Sequence, residues 1–282
     1  MQLISSDSIL KISVLLPTRG RTEQLLKSLN SLITTVSDTS EIEILLAFDN
    51  DDTESYEYFA ENIIPKLDGH RVSYKALKFP PLGYSRLNQY VNHLAGHARG
   101  RWLFFWNDDA EMQTQDWDIE FSKWDGHFRV LAVHTHNEHP YSIFPIVPVE
   151  WFKLLGYLSS HPLNDAEISQ IAYLLGIFER IDVWVEHDRF DLTGNNHDET
   201  FESRRLLEGN PTQPGDIAHK DARAKRYQMA DRIAWFLKIQ GESVKPWIDY
   251  LTGERDPWKD IMAADINNQM HLVDLKKHDQ KK

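Results

Sequence analysis

Hydrophobic positions in the first half of the chain switch repeatedly between two periods. Ile12, Val14, Leu15 and Leu16 form a short apolar run that stops at Pro17-Thr18-Arg19-Gly20-Arg21. The apolar positions that follow, Leu25, Leu26, Leu29, Leu32 and Ile33, recur at helical spacing. This run-then-stripe pattern predicts a strand followed by a helix, and it repeats. Ile42 to Phe48 reads as a second strand, and Tyr56, Phe59, Ile63 and Ile64 as a short helix that stops before Pro65. Val72 to Phe79 reads as a third strand, and Leu87, Tyr90, Val91, Leu94, Ala95 and Ala98 as a helical stripe closing at Gly100. Trp102 to Trp106 and Val130 to His134 complete the series of strands. Strands alternating with helices predict an α/β fold with a mainly parallel, Rossmann-like sheet covered on both faces.

Two of these strands end abruptly in acid. Ile42 to Phe48 runs into Asp49-Asn50-Asp51-Asp52, and Trp102 to Trp106 runs into Asn107-Asp108-Asp109. Ligands of open α/β sheets collect at the carboxyl ends of the strands. Carboxylate oxygens placed there are hard donors of the kind Mg²⁺ or Mn²⁺ prefers, with substrate phosphates completing the shell. Either segment alone also reads as a solvated Asn-Asp turn. The same ending on two strands points to one shared site.

From Trp151 to Gly176 the period is helical. Asn164-Asp165-Ala166-Glu167 opens a stripe of Ile168, Ile171, Ala172, Leu174 and Leu175. Asn164 is expected as N-cap with Glu167 three residues on, an Asn variant of the capping box. Asp165 then lies in the first turn, where its charge complements the helix dipole. Further on, Ile181 to Glu186 alternates in polarity and ends at His187, before a polar loop from Asp188 to Thr200 that holds His197 and Asp198. His134 and His136 are two apart, so on a strand their rings share a face; with His139 they suit either zinc ligation or the polar lining of an acceptor cleft. Asn210 to Asp216 reads as a loop, and Ile233, Ala234, Phe236, Leu237, Trp247, Ile248 and Leu251 as later helices.

Composition narrows the field. With 282 residues, 41% apolar and 26% charged, the chain has the makeup of a globular protein with one sizeable core or a core plus an appendage. The net charge of -12 argues against general nucleic-acid binding, which rests on Lys and Arg neutralising phosphates. The absence of cysteine removes disulfides, thiol catalysis and zinc-thiolate sites. No stretch approaches the roughly 20 apolar residues of a membrane span, and the N-terminus lacks the pattern of a secretory signal, so a soluble, cytoplasmic protein is expected. There is no Gly-rich phosphate loop. Nine tryptophans exceed ordinary usage, and their flat faces suit sugar rings and bases as well as cores.

In order and spacing these motifs resemble the family-two glycosyltransferases of the GT-A fold over about residues 10 to 200. Leu16-Pro17-Thr18-Arg19-Gly20-Arg21 is similar to the family's strand-end P-T-x-x-R. Glu43 to Asp52 resembles its second strand, with Phe48-Asp49 where the family usually has paired Asp. Gly83 to Gly100 resembles the helix before the metal strand, with Arg86 and Asn88 or Asn92 near an Arg-Asn position. Asn107-Asp108-Asp109 falls where the family has D-x-D, Asn107 replacing its first acid.

The resemblance implies a sugar transferase with a GT-A catalytic domain over residues 1–205 and a helical extension over 206–282. Within the catalytic domain, residues about 10–112 form the nucleotide-sugar half and about 113–205 the acceptor half. It implies that Pro17, Thr18, Arg21, Asp49, Asp51, Arg86, Asn88, Asn107 and Asp108 bind the donor, and that Asp109 and His187 hold Mn²⁺ or Mg²⁺. Asp165 takes the place of the catalytic base, a role that stands beside its capping role, and His197 and Asp198 fall where a lid would fold over the donor. The expected partners are a nucleotide-sugar donor, with a UDP-sugar favoured, and a carbohydrate or other hydroxyl acceptor, transferred with inversion. Two other classes fit parts of the pattern. A nucleotidyltransferase shares the sheet but is expected to carry a Gly-rich, Lys-containing loop after its first strand, where this chain has Gly20. A non-catalytic carbohydrate-binding protein retaining the fold would tolerate Asn107.

Overall fold

Strand β1 (Ile12–Thr18) lies between β2 (Ile42–Asp49) and β4 (Trp102–Phe105) and is parallel to both. Their unbroken apolar runs require cover on both faces, which a central position in a helix-flanked sheet provides. These elements come from a computed structural model, which describes residues 10–135, 140–188 and 211–257. The other strands are β3 (Ser73–Phe79), β5 (Ala110–Met112), β6 (Val130–Thr135), β7 (Ile146–Pro148) and β8 (Phe178–His187). All eight form one sheet in the order β3-β2-β1-β4-β7-β6-β8-β5.

The predicted parallel ladder holds for β3, β2, β1 and β4, and again for β6 with β8. Strand β7 runs antiparallel to β4 and β6, and β5 antiparallel to β8, so the sheet is mixed. Both reversed strands are three residues long, too short to show a period in the sequence.

Helices cover each face of the sheet. On one side α1 (Thr22–Thr35), α2 (Thr53–Tyr58) with the segment after it, α3 (Ile64–Gly69) and α5 (Trp117–Ser122) bury Leu29, Phe59, Leu67 and Trp117 against Phe104 and Val133. On the other, α4 (Leu87–Ala95), α6 (Val149–Leu155) and α7 (Asn164–Leu175) bury Leu94, Trp151 and Ile171 against Leu103 and Val147. Helices α8 (Lys220–Ile239) and α9 (Lys245–Leu251) add Ile233, Leu237 and Trp247 to this second core.

Two sequence expectations are corrected. The helix expected to stop before Pro65 continues to Gly69, because a π-helical segment, Phe59–Ile63, separates α2 from α3 and Pro65 falls in the first turn of α3. A first-turn proline gives up no helical hydrogen bond. Asn164 is inside α7 instead of capping it, and Leu163 at the N-cap offers no side-chain bond. Glu167 does turn back, but to the preceding loop: it accepts from the amides of Ser160 (2.6 Å) and His161 (3.2 Å) and from the hydroxyls of Ser159 and Ser160 (both 2.7 Å). That loop crosses the helix end and supplies the donors a capping box would have taken from the N-cap.

One glycine is needed for close approach. A Cβ on Gly100 would lie 2.5 Å from the Ser13 amide nitrogen, where Ser13 and Arg99 pin the buried Glu43 at the start of the parallel ladder. This junction fixes the register of β1 against β4, Leu15 opposite Phe105, and continuing that register brings Thr18 level with Asp108.

Candidate active site

The carboxyl ends of β1, β4 and β8 converge on the acid pair. Thr18 donates its hydroxyl to Oδ2 of Asp108 at 2.7 Å. Arg21, at the N-cap of α1, places Nη1 2.9 Å from Oδ1 of Asp108 and 3.2 Å from Oδ2 of Asp109. His187, the last residue of β8, sets Nε2 3.1 Å from Oδ1 of Asp109 and 3.4 Å from Nδ2 of Asn107. The backbone is tied as firmly: Asp188 N–H donates to the Asp109 carbonyl at 3.0 Å, and the Ser28 hydroxyl donates to the Asn107 carbonyl while accepting from the Trp106 indole. Asp108 is buried, its neighbours are half-buried, and the turn is held from three sides, which excludes a solvated Asn-Asp turn.

Burial pushes the Asp108 carboxyl up to about 6, with the charge of Asp109 acting the same way and Arg21 and Thr18 opposing. For Asp109 burial also acts upward, but the hydrogen bond and charge of His187, with Arg21, outweigh it and hold that carboxyl below its usual range. The two adjacent carboxylates thus titrate apart, Asp108 chiefly through burial and Asp109 through its contact with His187.

A second cluster forms at the ends of β1 and β2. Arg19 bridges Asp49 (2.9 Å) and Asp51 (2.5 Å), and the Tyr90 hydroxyl donates to the other oxygen of Asp49. Burial, and then the Asp49 carboxylate, push the Tyr90 hydroxyl up to about 12, so it remains a donor. Asp52 caps α2 and accepts from the Gly20 amide at 2.8 Å, joining the β1 and β2 turns. Arg19, Tyr90 and Ser28 were not singled out by sequence reasoning as site residues. Arg19 sits in a turn and Tyr90 in an apolar stripe, so neither carries a local signal.

Other expected residues fall further apart. Pro17 is in β1 beside Thr18, half-buried. Arg86 is exposed in the turn that opens α4. Asn88 and Asn92 face the Ser159 carbonyl, at 3.5 and 2.8 Å, and Asn92 also accepts from the amides of Leu158 and Ser159. They tie α4 to the loop that Glu167 holds at the N-terminus of α7, and Asp165 lies half-buried in the first turn of that helix. His134 stacks on Trp184, with ring centroids 4.7 Å apart. His136, His139, His197 and Asp198 lie outside the described residues.

The donor set can be tested for a divalent ion. Ligands 2.0–2.1 Å from a common ion lie about 3 Å from each other when adjacent, and Asp109 Oδ1 and His187 Nε2 are 3.1 Å apart. Asn107 lies beside them, with its Nδ2 3.4 Å from His187 Nε2. Among the described residues no three His, Asp or Glu side chains converge as a closed cage. The spacing of Asp109 and His187 is compatible with two ligands of an ion whose other positions an anionic ligand fills, the way Mg²⁺ is held beside substrate phosphates.

The profile of the family described as Glycosyl transferase family 2 matches residues 13–180, more than half of the chain. The chain belongs to glycosyl transferase family 2, and its sheet is that of the GT-A enzymes. Among solved structures it is similar to the mannosyltransferase PcManGT from Pyrobaculum calidifontis in complex with GDP-Man and Mn²⁺, with a TM-score of 0.52 and 12% identity over 92% of this chain and 86% of that one. It is also similar to S. aureus TarS 1-349 in complex with UDP, with a TM-score of 0.50 and 16% identity over 76% of this chain and 73% of that one. Against another TarS 1-349 structure it spans 59% of that chain's length, with 64% of this chain covered, 14% identity and a TM-score of 0.46. At such identities the likeness is one of fold. A search of curated proteins finds no match. No helix among the described residues is long and apolar enough to cross a membrane.

Proposed function

We propose that this protein transfers a sugar from a nucleoside diphosphate donor to a hydroxyl acceptor, inverting the anomeric carbon. The observation that carries the reading is the buried Asp108-Asp109 pair, bridged by Arg21 and flanked by His187, beside the Asp49-Asp51 cluster in a family 2 chain. The TarS structure holds UDP and the mannosyltransferase structure GDP-Man with Mn²⁺. This chain is proposed to take the same class of donor, a UDP-sugar first.

Each group has a role in that reaction. Asp49 and Asp51, oriented by Arg19 and Tyr90, accept hydrogen bonds from the nucleoside. Thr18 and Arg21 fix the Asp108 carboxylate, and Arg21 brings positive charge to the side where the diphosphate departs. Asp109 and His187, with Asn107, would hold Mn²⁺ or Mg²⁺, which supplies electrostatic neutralisation of the leaving diphosphate. Asp165, at the start of α7, receives the proton of the acceptor hydroxyl as its oxygen attacks the sugar carbon.

Thermal unfolding with UDP or GDP, in Mn²⁺, in Mg²⁺ and in excess chelator, tests the reading. A ligand at 100 times its Kd stabilises by about 2.7 kcal/mol. Stabilisation by a nucleoside diphosphate only with the divalent ion is expected, followed by release of that diphosphate from the matching nucleotide sugar. A chain indifferent to every nucleotide in both conditions overturns it.

A further inference from the structure

Strand β8 carries a feature that the reaction above leaves unused. Its buried residues, Ile181, Val183 and Val185, face the core beneath α1 and α5, so Phe178, Arg180, Asp182, Trp184 and Glu186 alternate onto the opposite face. That is the face covered by α7, since Tyr173 of α7 stacks on Phe178 with ring centroids 4.4 Å apart. Toward its carboxyl end this face is open. Trp184 is 41% exposed and is stacked at 15° on His134 from β6, and its indole N–H has no hydrogen-bond partner among the described residues. Asp182 and Glu186 are exposed on either side of it along the strand.

A ring left partly open offers a flat apolar face to a ligand, and here a register irregularity between β6 and β8 falls immediately before the pair and brings His134 opposite Trp184. The location narrows the ligand further. Trp184 is three residues before His187, about 10 Å along the strand. Helix α7 leads through a short turn into β8 and runs back over it, so its N-terminus, with Asp165, points toward the same end of the sheet as Trp184. The flat face thus lies on the α7 side of the sheet, the side of Asp165, whereas His187, of opposite parity along β8, turns to the face of α1.

We infer that Trp184, stacked on His134, is a platform for a sugar ring of the acceptor, which makes the acceptor a saccharide or glycoside. The apolar face of a pyranose packs on the indole, and its hydroxyls donate to Asp182 and Glu186 or accept from the indole N–H. The inference rests on the transferase reading for what the ring is doing there, and on the Trp184 face alone for its binding.

The test uses the full chain labelled with ¹⁵N in its tryptophan indoles, the Trp184 resonance being assigned by its loss in Trp184→Phe. The probes are methyl glycosides and disaccharides of glucose, galactose, mannose and N-acetylglucosamine, with glycerol and a Ser/Thr peptide as comparisons, each with and without UDP and Mn²⁺. At least one saccharide is expected to shift the Trp184 resonance. Trp184→Ala should weaken that saccharide about tenfold, Trp184→Tyr should recover most of the affinity, and nucleotide binding should be unchanged in both. The platform is overturned if no saccharide moves the resonance, if only the peptide does, or if a bound saccharide is indifferent to Trp184→Ala. Failure of UDP and GDP to bind the wild type overturns the donor reading instead, and leaves the saccharide titration to decide the platform.

Discussion

Arg21 and Asp108, 87 residues apart in the chain, meet at 2.9 Å where the first turn of α1 faces the end of β4. The same guanidinium nitrogen reaches Asp109, so one cation already stands between two buried carboxylates. Removing one partner of such a buried set leaves uncompensated charge and costs about 3 kcal/mol or more. Arg21→Met is therefore expected to lower stability in urea by about that amount in chelator, and Mn²⁺ should restore part of it by supplying positive charge to the same pair. Unchanged stability in chelator would show that solvent, not Arg21, compensates the two acids.

Asp109 and Asn107 differ in what they offer an ion. Asp109 brings a formal charge 3.1 Å from His187, whereas Asn107 brings a neutral amide. Asp109→Ala should abolish metal-dependent nucleotide binding, and Asn107→Ala should weaken it several-fold only, both followed by titration calorimetry with UDP and Mn²⁺. Binding by Asp109→Ala at wild-type affinity would remove Asp109 from the donor set.

His161 sets a pH dependence on the loop that precedes α7. Its Nδ1 accepts from the Leu163 amide at 3.1 Å and its Nε2 faces the Gly215 carbonyl at 3.0 Å, an arrangement that the neutral ring with its proton on Nε2 satisfies completely. Burial lowers its pKa from the ordinary 6.5, against the opposing pull of the Gly215 carbonyl and Glu167. A histidine depressed in the folded state binds fewer protons there than when unfolded, so its contribution is fully present above about pH 6.5 and is lost as pH falls toward the folded value. Melting temperature should drop as pH falls below about 6.5, with a smaller drop in His161→Gln. Equal slopes in the two proteins would assign the acid sensitivity to other groups.

The parts of this molecule legible in the sequence are those whose signal is local. The apolar runs of β1, β2 and β4 each demand burial on two faces, and the break from Trp106 to Asn107-Asp108-Asp109 is sharp enough to place the acids at a strand end. His187 is likewise the last residue of its strand, as its alternating pattern implies. What was not legible depends on contacts between distant segments. Arg19 reads only as a turn residue until the β1–β2 register sets it against Asp49 and Asp51. The capping pattern at Asn164 is real as a pattern, yet Glu167 answers to Ser160 and His161 because tertiary packing brings their amides within 2.6 and 3.2 Å. Asn88 similarly meets Ser159, 71 residues away.

Asp165 is the residue whose two possible roles differ most in consequence. It sits in the first turn of α7, where a carboxylate interacts favourably with the helix dipole, and it is half-buried on the helix end that points toward the carboxyl ends of β6 and β8. Asp165→Asn preserves size and most hydrogen-bonding ability, so loss of the charge at the helix end should cost about 0.3–1 kcal/mol. Loss of a general base should slow transfer by about 10²–10⁴-fold, with nucleotide binding by calorimetry nearly intact. The two effects separate cleanly, because a stability change of that size leaves the protein folded at assay temperature. A variant that transfers sugar within a few-fold of wild type would confine Asp165 to the helix terminus, and the proton would then have to leave through another group near the acceptor.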